Sequence, residues 1–168
     1  EDVTITNCSV SGFDIGTFLD GTYQKKNYNR VPDRGVVTGR IKFGTESNGG
    51  FRNITISNCT FEFCRGLALE TVDGGILEDI SVTNVTMRDC MGAPFFLRLG
   101  ARMRGPEGVP VGKLRKVNIS NFVVYASNPD YASLILGMQG YDIEDVRMSN
   151  IFLNVKGGAP KEQAGVVV

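Results

Sequence analysis

Charged side chains alternate with apolar ones in several short segments of the chain. In RIKFGT, Arg40 and Lys42 alternate with Ile41 and Phe43, which predicts a strand with its apolar side chains in the core and its cations outside. Arg and Lys bind carboxylates, and a neighbouring Asp or Glu can carry out acid–base chemistry. The pattern is typical of a surface that binds an extended anionic polymer. Charges that serve only to keep the surface soluble would give the same pattern.

The same alternation places further charged residues in one outward-facing strip. In LALET, Leu67 and Leu69 are expected in the core, with Ala68 and Glu70 outside. In FFLRL, Arg98 is expected outside for the same reason. Stacking of these strands would align their outward positions. The expected strip comprises Asp14 or Asp20, Arg40, Lys42, Glu70 and Arg98, followed by Arg102 and Arg104 on the next loop.

An internal repeat supplies the elements that would position this strip. A phrase of alternating apolar and polar residues that ends in Asn occurs as VTITN, ITISN, ISVTN, VNISN and VRMSN, ending at Asn7, Asn58, Asn84, Asn121 and Asn150. A second β segment follows each phrase, and the apolar segments described above form a third. Three short strands in a unit of roughly 25–30 residues, with about five to six such units, predict an all-β parallel β-helix.

Stacking of the units has two further consequences. We use the word coil for one turn of the repeat. The asparagines are expected to form a ladder at one corner, each side-chain amide bonding that of the next coil about 4.8 Å away. The residues that follow the asparagines are expected to form one interior stack of Cys8, Cys59, Val85, Phe122 and Ile151. We therefore interpret Cys8, Cys59, Cys64 and Cys90 as buried free thiols, and a disulfide is the alternative.

The composition argues against several classes of function. The 168-residue chain carries 18 basic and 18 acidic residues, which argues against nucleic-acid and polybasic membrane binding, and no apolar run is long enough to span a bilayer. The absence of histidine removes Ser-His-Asp and Cys-His catalysis and argues against catalytic zinc, so we expect no metal and no cofactor.

The sequence opens inside a strand-like phrase. We interpret residues 1–168 as a single domain that is a fragment of a longer chain.

The sequence resembles glycoside hydrolase family 28, the polygalacturonase-like enzymes. The stretches FGTESNGGFRNITISNCTF, RGLALETVDGG and EDISVTNVTM are similar to consecutive coils of that family, and the similarity extends from Val3 to about Ile151. The most specific positions are Gly44, Thr45, Glu46, Gly49, Gly50, Gly66, Leu67, Thr71, Gly74 and Gly75. The resemblance implies a right-handed parallel β-helix that hydrolyses galacturonate-type linkages with inversion. It also implies an extracellular or periplasmic location.

The family's catalytic motifs are only partly present. No Asn-Thr-Asp occurs, and the Asp-Asp pair falls on Phe13–Asp14, so that only Asp14 remains. The Gly-His-Gly histidine aligns with Thr38, and the Arg-Ile-Lys motif aligns with Ala68–Glu70. The letters RIK occur at 40–42, one coil earlier. Either these letters are a coincidence, or the cations have moved by one coil along the same groove, and we favour the second as a hypothesis.

The resemblance implies a division of roles among the charged residues. The candidate catalytic carboxylates are Asp14, as general acid or base, with Asp20 and Glu70. The candidate substrate-binding residues are Arg40, Lys42, Glu46 and Arg98, although Glu46 could instead cap the Gly-rich corner. The expected partner is an acidic, pectin-like polysaccharide. A polysaccharide lyase and a non-catalytic polysaccharide-binding β-helix are the alternatives, and exposed coil ends are expected to promote self-association.

Overall fold

The computed structural model describes residues 1–15, 21–22, 24–28, 40–127 and 131–155. Within these residues the chain forms strands and no helix, which confirms the all-β prediction and leaves no helix that could cross a membrane. Asp20 and Thr38 lie outside the described residues, and for Asp14 only the backbone is described. The strands are β1 (Val3–Thr6), β2 (Ser9–Ser11), β3 (Phe13–Ile15), β4 (Gln24–Tyr28), β5 (Ile41–Phe43), β6 (Phe51–Glu62), β7 (Leu67–Thr71), β8 (Ile76–Arg88), β9 (Phe95–Leu99), β10 (Lys113–Ser127), β11 (Leu134–Leu136) and β12 (Glu144–Val155).

The strands form two parallel sheets and one small antiparallel pair. The long sheet has the order β1-β6-β8-β10-β12, with β2 also paired to β6, and the short sheet has the order β11-β9-β7-β5. Strands β3 and β4 form the antiparallel pair. From β5 onward the described chain alternates between the short and the long sheet, and each pairing within these sheets is parallel. Successive repeats therefore lie side by side.

The recurring asparagines mark the places where the long strands bend. Asn58, Asn84, Asn121 and Asn150 all have a positive φ, between 51° and 56°. Few L-residues adopt this left-handed conformation, and Asn is among those that do so most readily. The amide of Asn150 donates to Asn121 at 2.9 Å, that of Asn121 donates to Asn84 at 3.2 Å, and that of Asn84 donates to Asn58 at 3.1 Å. The same bend on four neighbouring strands thus aligns a row of hydrogen-bonded amides.

The stack that follows these asparagines lies largely in the core. Cys59 pairs in register with Val85, and Phe122 pairs with both Val85 and Ile151. Cys59, Val85 and Phe122 are buried, as expected, and Ile151 is half-buried. Cys8 continues the stack but is exposed, which corrects the prediction of a buried thiol. The reason is that β1 and β2 form the edge of the long sheet in the described part of the chain, so no further strand covers this position.

At both edges of the described stack, exposed apolar side chains pair in register with buried apolar side chains of the neighbouring strand. Val3 pairs with the buried Ile54 at one edge, and Met148 pairs with the buried Ile119 at the other. Val3 and Met148 are both exposed. Ile135 of β11 pairs with the buried Leu97 and is 52% exposed. These edges are the feature on which the expectation of self-association depends.

Candidate functional site

The structure brings Lys42, Glu70 and Arg98 together on one face of the short sheet. Strand β7 lies between β5 and β9, and Glu70 pairs in register with Arg98. Lys42 pairs with Ala68, two positions before Glu70, and its Nζ reaches across to Glu70 Oε1 at 3.3 Å. We call Arg40, Lys42, Glu70 and Arg98 the charged strip. Three strands that are far apart in sequence therefore contribute to one charged surface.

The central strand of the strip is more buried than the alternation predicted. Ala68 is 0% exposed and Glu70 only 5%, so the expectation that both face solvent is wrong. The physical reason lies in the neighbouring strands, which place longer side chains beside β7. Ala68 lies in register between Lys42 and Phe96, and Glu70 forms an ion pair with Lys42. Glu70 therefore forms the floor of the strip, while the cations remain partly accessible.

Arg40 adds an unusual cation at the start of the strip. It is partly buried, and its Nε has no hydrogen-bond partner among the described residues. Burial lowers the pKa of Arg40, the positive charge of Arg65 lowers it further, and Glu70 opposes both effects. A buried guanidinium N–H without a hydrogen-bond partner costs free energy.

A second group of charges gathers at the carboxyl ends of the same strands. Asp73 follows β7 and is 2% exposed, and it was not among the site residues predicted from the sequence. Arg102 donates to Asp73 from Nε at 3.0 Å and also from Nη2, and the backbone N–H of Arg104 donates to Asp73 at 3.1 Å. These contacts hold the loop that follows β9. Asp73 follows β7 and the two arginines follow β9. Because the carboxyl ends of parallel strands meet at one sheet edge, the predicted strands could have indicated that these residues lie close together.

A cleft of about 330 Å³ opens at this edge of the sheet. Its lining residues are Glu46, Asn48, Asp73, Arg104 and Gly105. The side chain of Glu46 is largely exposed, and its Oε1 lies 3.9 Å from Arg102 Nη2. Glu46 therefore lines the cleft and also lies near Arg102. With carboxylates, an amide and an arginine on its walls, the cleft can hydrogen-bond a ligand that carries many hydroxyl groups.

Three charged residues on the long sheet form ion pairs with one another, in contrast to the partly accessible cations of the charged strip. Arg52, Glu78 and Arg115 are neighbours in register, and the carboxylate of Glu78 lies 3.1 Å from Arg52 Nε and 2.7 Å from Arg115 Nη2. The hydrogen bond from Arg115 lowers the pKa of Glu78. These charges satisfy one another across the strands, so we interpret them as structural.

The described residues contain no group of three or more His, Cys, Asp or Glu side chains arranged to hold a metal ion.

The structure places the sequence-predicted site residues as follows. Asp14 lies in β3, which pairs with β4 outside the short sheet. Lys42, Glu70 and Arg98 are brought together, and Arg40 lies within the electrostatic influence of Glu70.

Comparison with protein-family models, with curated proteins and with solved structures gave no significant match.

Asp73 is expected to make the stability of the protein depend on pH below about 4. The hydrogen bonds from Arg102 lower the pKa of Asp73 below its unfolded-state value of roughly 3.9. Its stabilising contribution is therefore complete above that unfolded value and is lost as the pH falls through the folded-state pKa. Asp73→Asn should be less stable at pH 7 and should lose less stability than the wild type on acidification. Thermal unfolding measured at intervals from pH 7 to pH 2 would check this.

The control for this experiment is Asn48→Ala, which alters the same cleft without removing a titratable group. It should retain the wild-type dependence of stability on pH. A wild-type pH dependence in Asp73→Asn as well would show that the Asp73–Arg102 pair does not produce the effect.

Proposed function

We propose that the chain forms part of a right-handed parallel β-helix and hydrolyses an acidic, pectin-like polysaccharide. The alternation of the chain between two parallel sheets and the row of hydrogen-bonded asparagines support this architecture. Right-handed connection is the rule for parallel strands joined by a crossover. The charged strip lies on the face of the short sheet, and the cleft lined by Glu46 and Asp73 opens at the sheet edge.

The observation that carries the proposal is the ion pair between Lys42 and Glu70. The resemblance to glycoside hydrolase family 28 would place a lysine at position 70, where this chain has a carboxylate. Lys42 comes from the preceding strand of the short sheet, and its ammonium group lies 3.3 Å from that carboxylate. This supports the hypothesis that the cations of the motif have moved by one coil. Together with Arg40 and Arg98, Lys42 can bind the carboxylates of a polyuronate.

In the proposed mechanism, two carboxyl groups act on opposite sides of the glycosidic bond. One protonates the leaving oxygen, and the other removes a proton from the water that attacks the sugar. We assign Asp14 to one of these roles and keep Asp20 and Glu70 as candidates for the other. An inverting enzyme separates the two groups by about 6.5–9.5 Å, which leaves room for the water. Arg40, Lys42 and Arg98 would hold the substrate in place during both proton transfers.

One observation favours a non-catalytic polysaccharide-binding protein as the second candidate. Glu70 is almost completely buried and already forms an ion pair with Lys42, so its carboxylate is engaged rather than free to approach a substrate. Such a strip could bind a polyuronate through its cations without cleaving it. A polysaccharide lyase, the other alternative, would instead need a base that abstracts a proton from the sugar.

Lys42→Ala is expected to weaken binding to polygalacturonate about tenfold at low salt, which corresponds to a loss of ~1.4 kcal/mol. The substitution removes an accessible cation from the strip and leaves Glu70 without its ion-pair partner, so that the strip becomes more negative. Titration calorimetry at two salt concentrations would measure the effect, because a charge-based interaction weakens as salt increases.

The matched control is Lys116→Ala. Lys116 lies on β10 of the long sheet, is exposed, and lies 3.5 Å from Asp79, so it resembles Lys42 as a cation paired with a carboxylate. Its loss should leave binding unchanged. Equal losses in the two variants would contradict a binding surface on the short sheet.

A further inference from the structure

The sequence contains a single Asn-Gly pair, Asn48–Gly49, in the corner between β5 and β6. The backbone N–H of Gly50 donates to the carbonyl of Ser47 at 3.2 Å, so Asn48 and Gly49 are the two central residues of a β-turn. The hydrogen bond of such a turn joins its first and fourth residues and does not use the backbone nitrogen of the third residue, Gly49. The Asn48 side chain is therefore followed by a backbone nitrogen that the turn leaves free to react.

The next coil fixes the base of this turn, whereas its tip is open. A Cβ at Gly50 would lie 2.4 Å from the carbonyl oxygen of Ile76, and one at Gly75 would lie 1.7 Å from that of Ser47, so the backbone at the base is tightly packed. A Cβ at Gly49 would meet nothing within 4 Å among the described residues. The backbone at the tip can therefore rotate without meeting a neighbour, and glycine adds no side chain that would restrict the rotation.

Asn48 meets solvent in the cleft described above. The residues that line the cleft with it include Asp73, Arg104 and Gly105, which belong to the loops that follow β7 and β9. Later coils of the repeat thus form this part of its surroundings. A Cβ at Gly105 would lie 3.3 Å from the Cβ of Asn48, which places the Asn48 side chain directly beside the loop that follows β9. Water that enters the cleft reaches the Asn48 amide.

The other asparagines lack this combination of features. Each of them is followed by a residue larger than glycine. Those in the strands of the long sheet belong to paired backbone, and the amides of Asn84, Asn121 and Asn150 already donate to a neighbouring asparagine. Asparagine is a chemically labile residue, and the structure concentrates the conditions for its reaction at Asn48.

We propose that Asn48 is a site of spontaneous deamidation, which converts an amide on the wall of the cleft into a carboxylate. The backbone nitrogen of Gly49 loses its proton to solvent base and bonds to Cγ of Asn48, and Nδ2 leaves as ammonia. Water then adds to either carbonyl of the resulting cyclic imide and breaks its bond to the ring nitrogen. The product is Asp or isoaspartate, depending on which bond breaks. In sum, an amide and water become a carboxylate and ammonium.

The modification would change the charge of the cleft, which Glu46 and Asp73 also line. Asp73 is already paired with Arg102, so the new carboxylate adds to the negative charge beside the charged strip. The consequence for binding rests on the proposed function, in which the cations of the strip hold a polyuronate. A further negative charge repels such a chain where it passes the cleft. Deamidation should therefore weaken polyuronate binding as the protein ages.

The test is incubation of the protein at 37 °C at pH 6 and pH 8, followed by peptide mapping and by methylation with an enzyme specific for isoaspartate. At pH 8 the peptide that contains Asn48 should gain the mass difference between an NH₂ and an OH group and should become a substrate for methylation. Conversion should be slower at pH 6, because less of the backbone nitrogen is deprotonated there. Gly49→Ala is the matched control and should convert at least about tenfold more slowly, because a side chain at this position restricts ring closure.

Three outcomes would overturn the modification site. They are an Asn48 amide that persists in the folded protein but converts in urea, earlier conversion at another asparagine, and equal rates in Gly49→Ala and the wild type. The effect on binding has its own test, in which Asn48→Asp should bind polygalacturonate about threefold more weakly than the fresh wild type at low salt. Equal binding would refute that effect. A wild type that binds no polyuronate would contradict the proposed function, while the conversion at Asn48 would still be expected.

Discussion

Asp14→Asn is expected to reduce the release of reducing ends from polygalacturonate by between about 10² and 10⁴, which is the usual contribution of a general acid or base. Asn is close to Asp in size but cannot exchange a proton with the glycosidic oxygen or with water. Asp14 is the residue of the chain that aligns with the family's Asp-Asp pair, and its backbone lies in β3. The measurement is the initial rate of reducing-end formation at saturating substrate, with polygalacturonate binding determined in parallel.

The control for this substitution is Asp142→Asn, since Asp142 is an exposed carboxylate that follows β11 and lies outside the charged strip. It should retain the wild-type rate. Binding should be almost unchanged in Asp14→Asn, because the proposed binding residues are Arg40, Lys42, Glu46 and Arg98. A wild-type rate in Asp14→Asn would move the catalysis to other carboxylates, of which Asp20 and Glu70 are the remaining candidates.

Gly75→Ala is expected to lower the free energy of unfolding by about 3 kcal/mol. A Cβ at Gly75 would lie 1.7 Å from the carbonyl oxygen of Ser47 and 2.9 Å from the nitrogen of Gly50. Both neighbours are backbone atoms, so the clash can be relieved only by moving a corner of the fold. Chemical denaturation would measure the loss, and the melting temperature should fall by about 6–12 °C.

Gly49→Ala provides the matched control in the same Gly-rich corner. A Cβ at Gly49 meets nothing within 4 Å, so the change in stability should be within about 0.5 kcal/mol. The corner at Gly75 lies beside Ser47 and two residues after Asp73, so its displacement should also disturb the cleft. Similar stabilities for the two variants would contradict the close approach of the two turns.

The strands could be predicted from the sequence because their signals are local. Period-2 alternation identified the apolar face of β9, where Phe95, Leu97 and Leu99 are all buried. The recurring Asn identified the bends, because few other residues adopt a positive φ so readily. The resulting interior stack was correct at Cys59, Val85 and Phe122.

The burial of individual charged residues could not be predicted in the same way, because it depends on neighbours from other strands. Alternation places Glu70 on the outer face but does not reveal that Lys42 would pair with it. Asp73 was missed because its partner Arg102 is 29 residues away, on a loop with no periodic pattern. Cys8 was expected in the core because the repeat does not show where the stack reaches an edge.

The most direct test of the proposed hydrolase is a product analysis with polygalacturonate and rhamnogalacturonan as substrates. Reducing ends and the ultraviolet absorbance of unsaturated sugars should be followed in the same reaction. We predict that reducing ends accumulate without any rise in that absorbance, because hydrolysis adds water and leaves no double bond. A rise in absorbance would instead identify a lyase. The absence of any product, with binding retained, would contradict the hydrolase and leave a polysaccharide-binding protein.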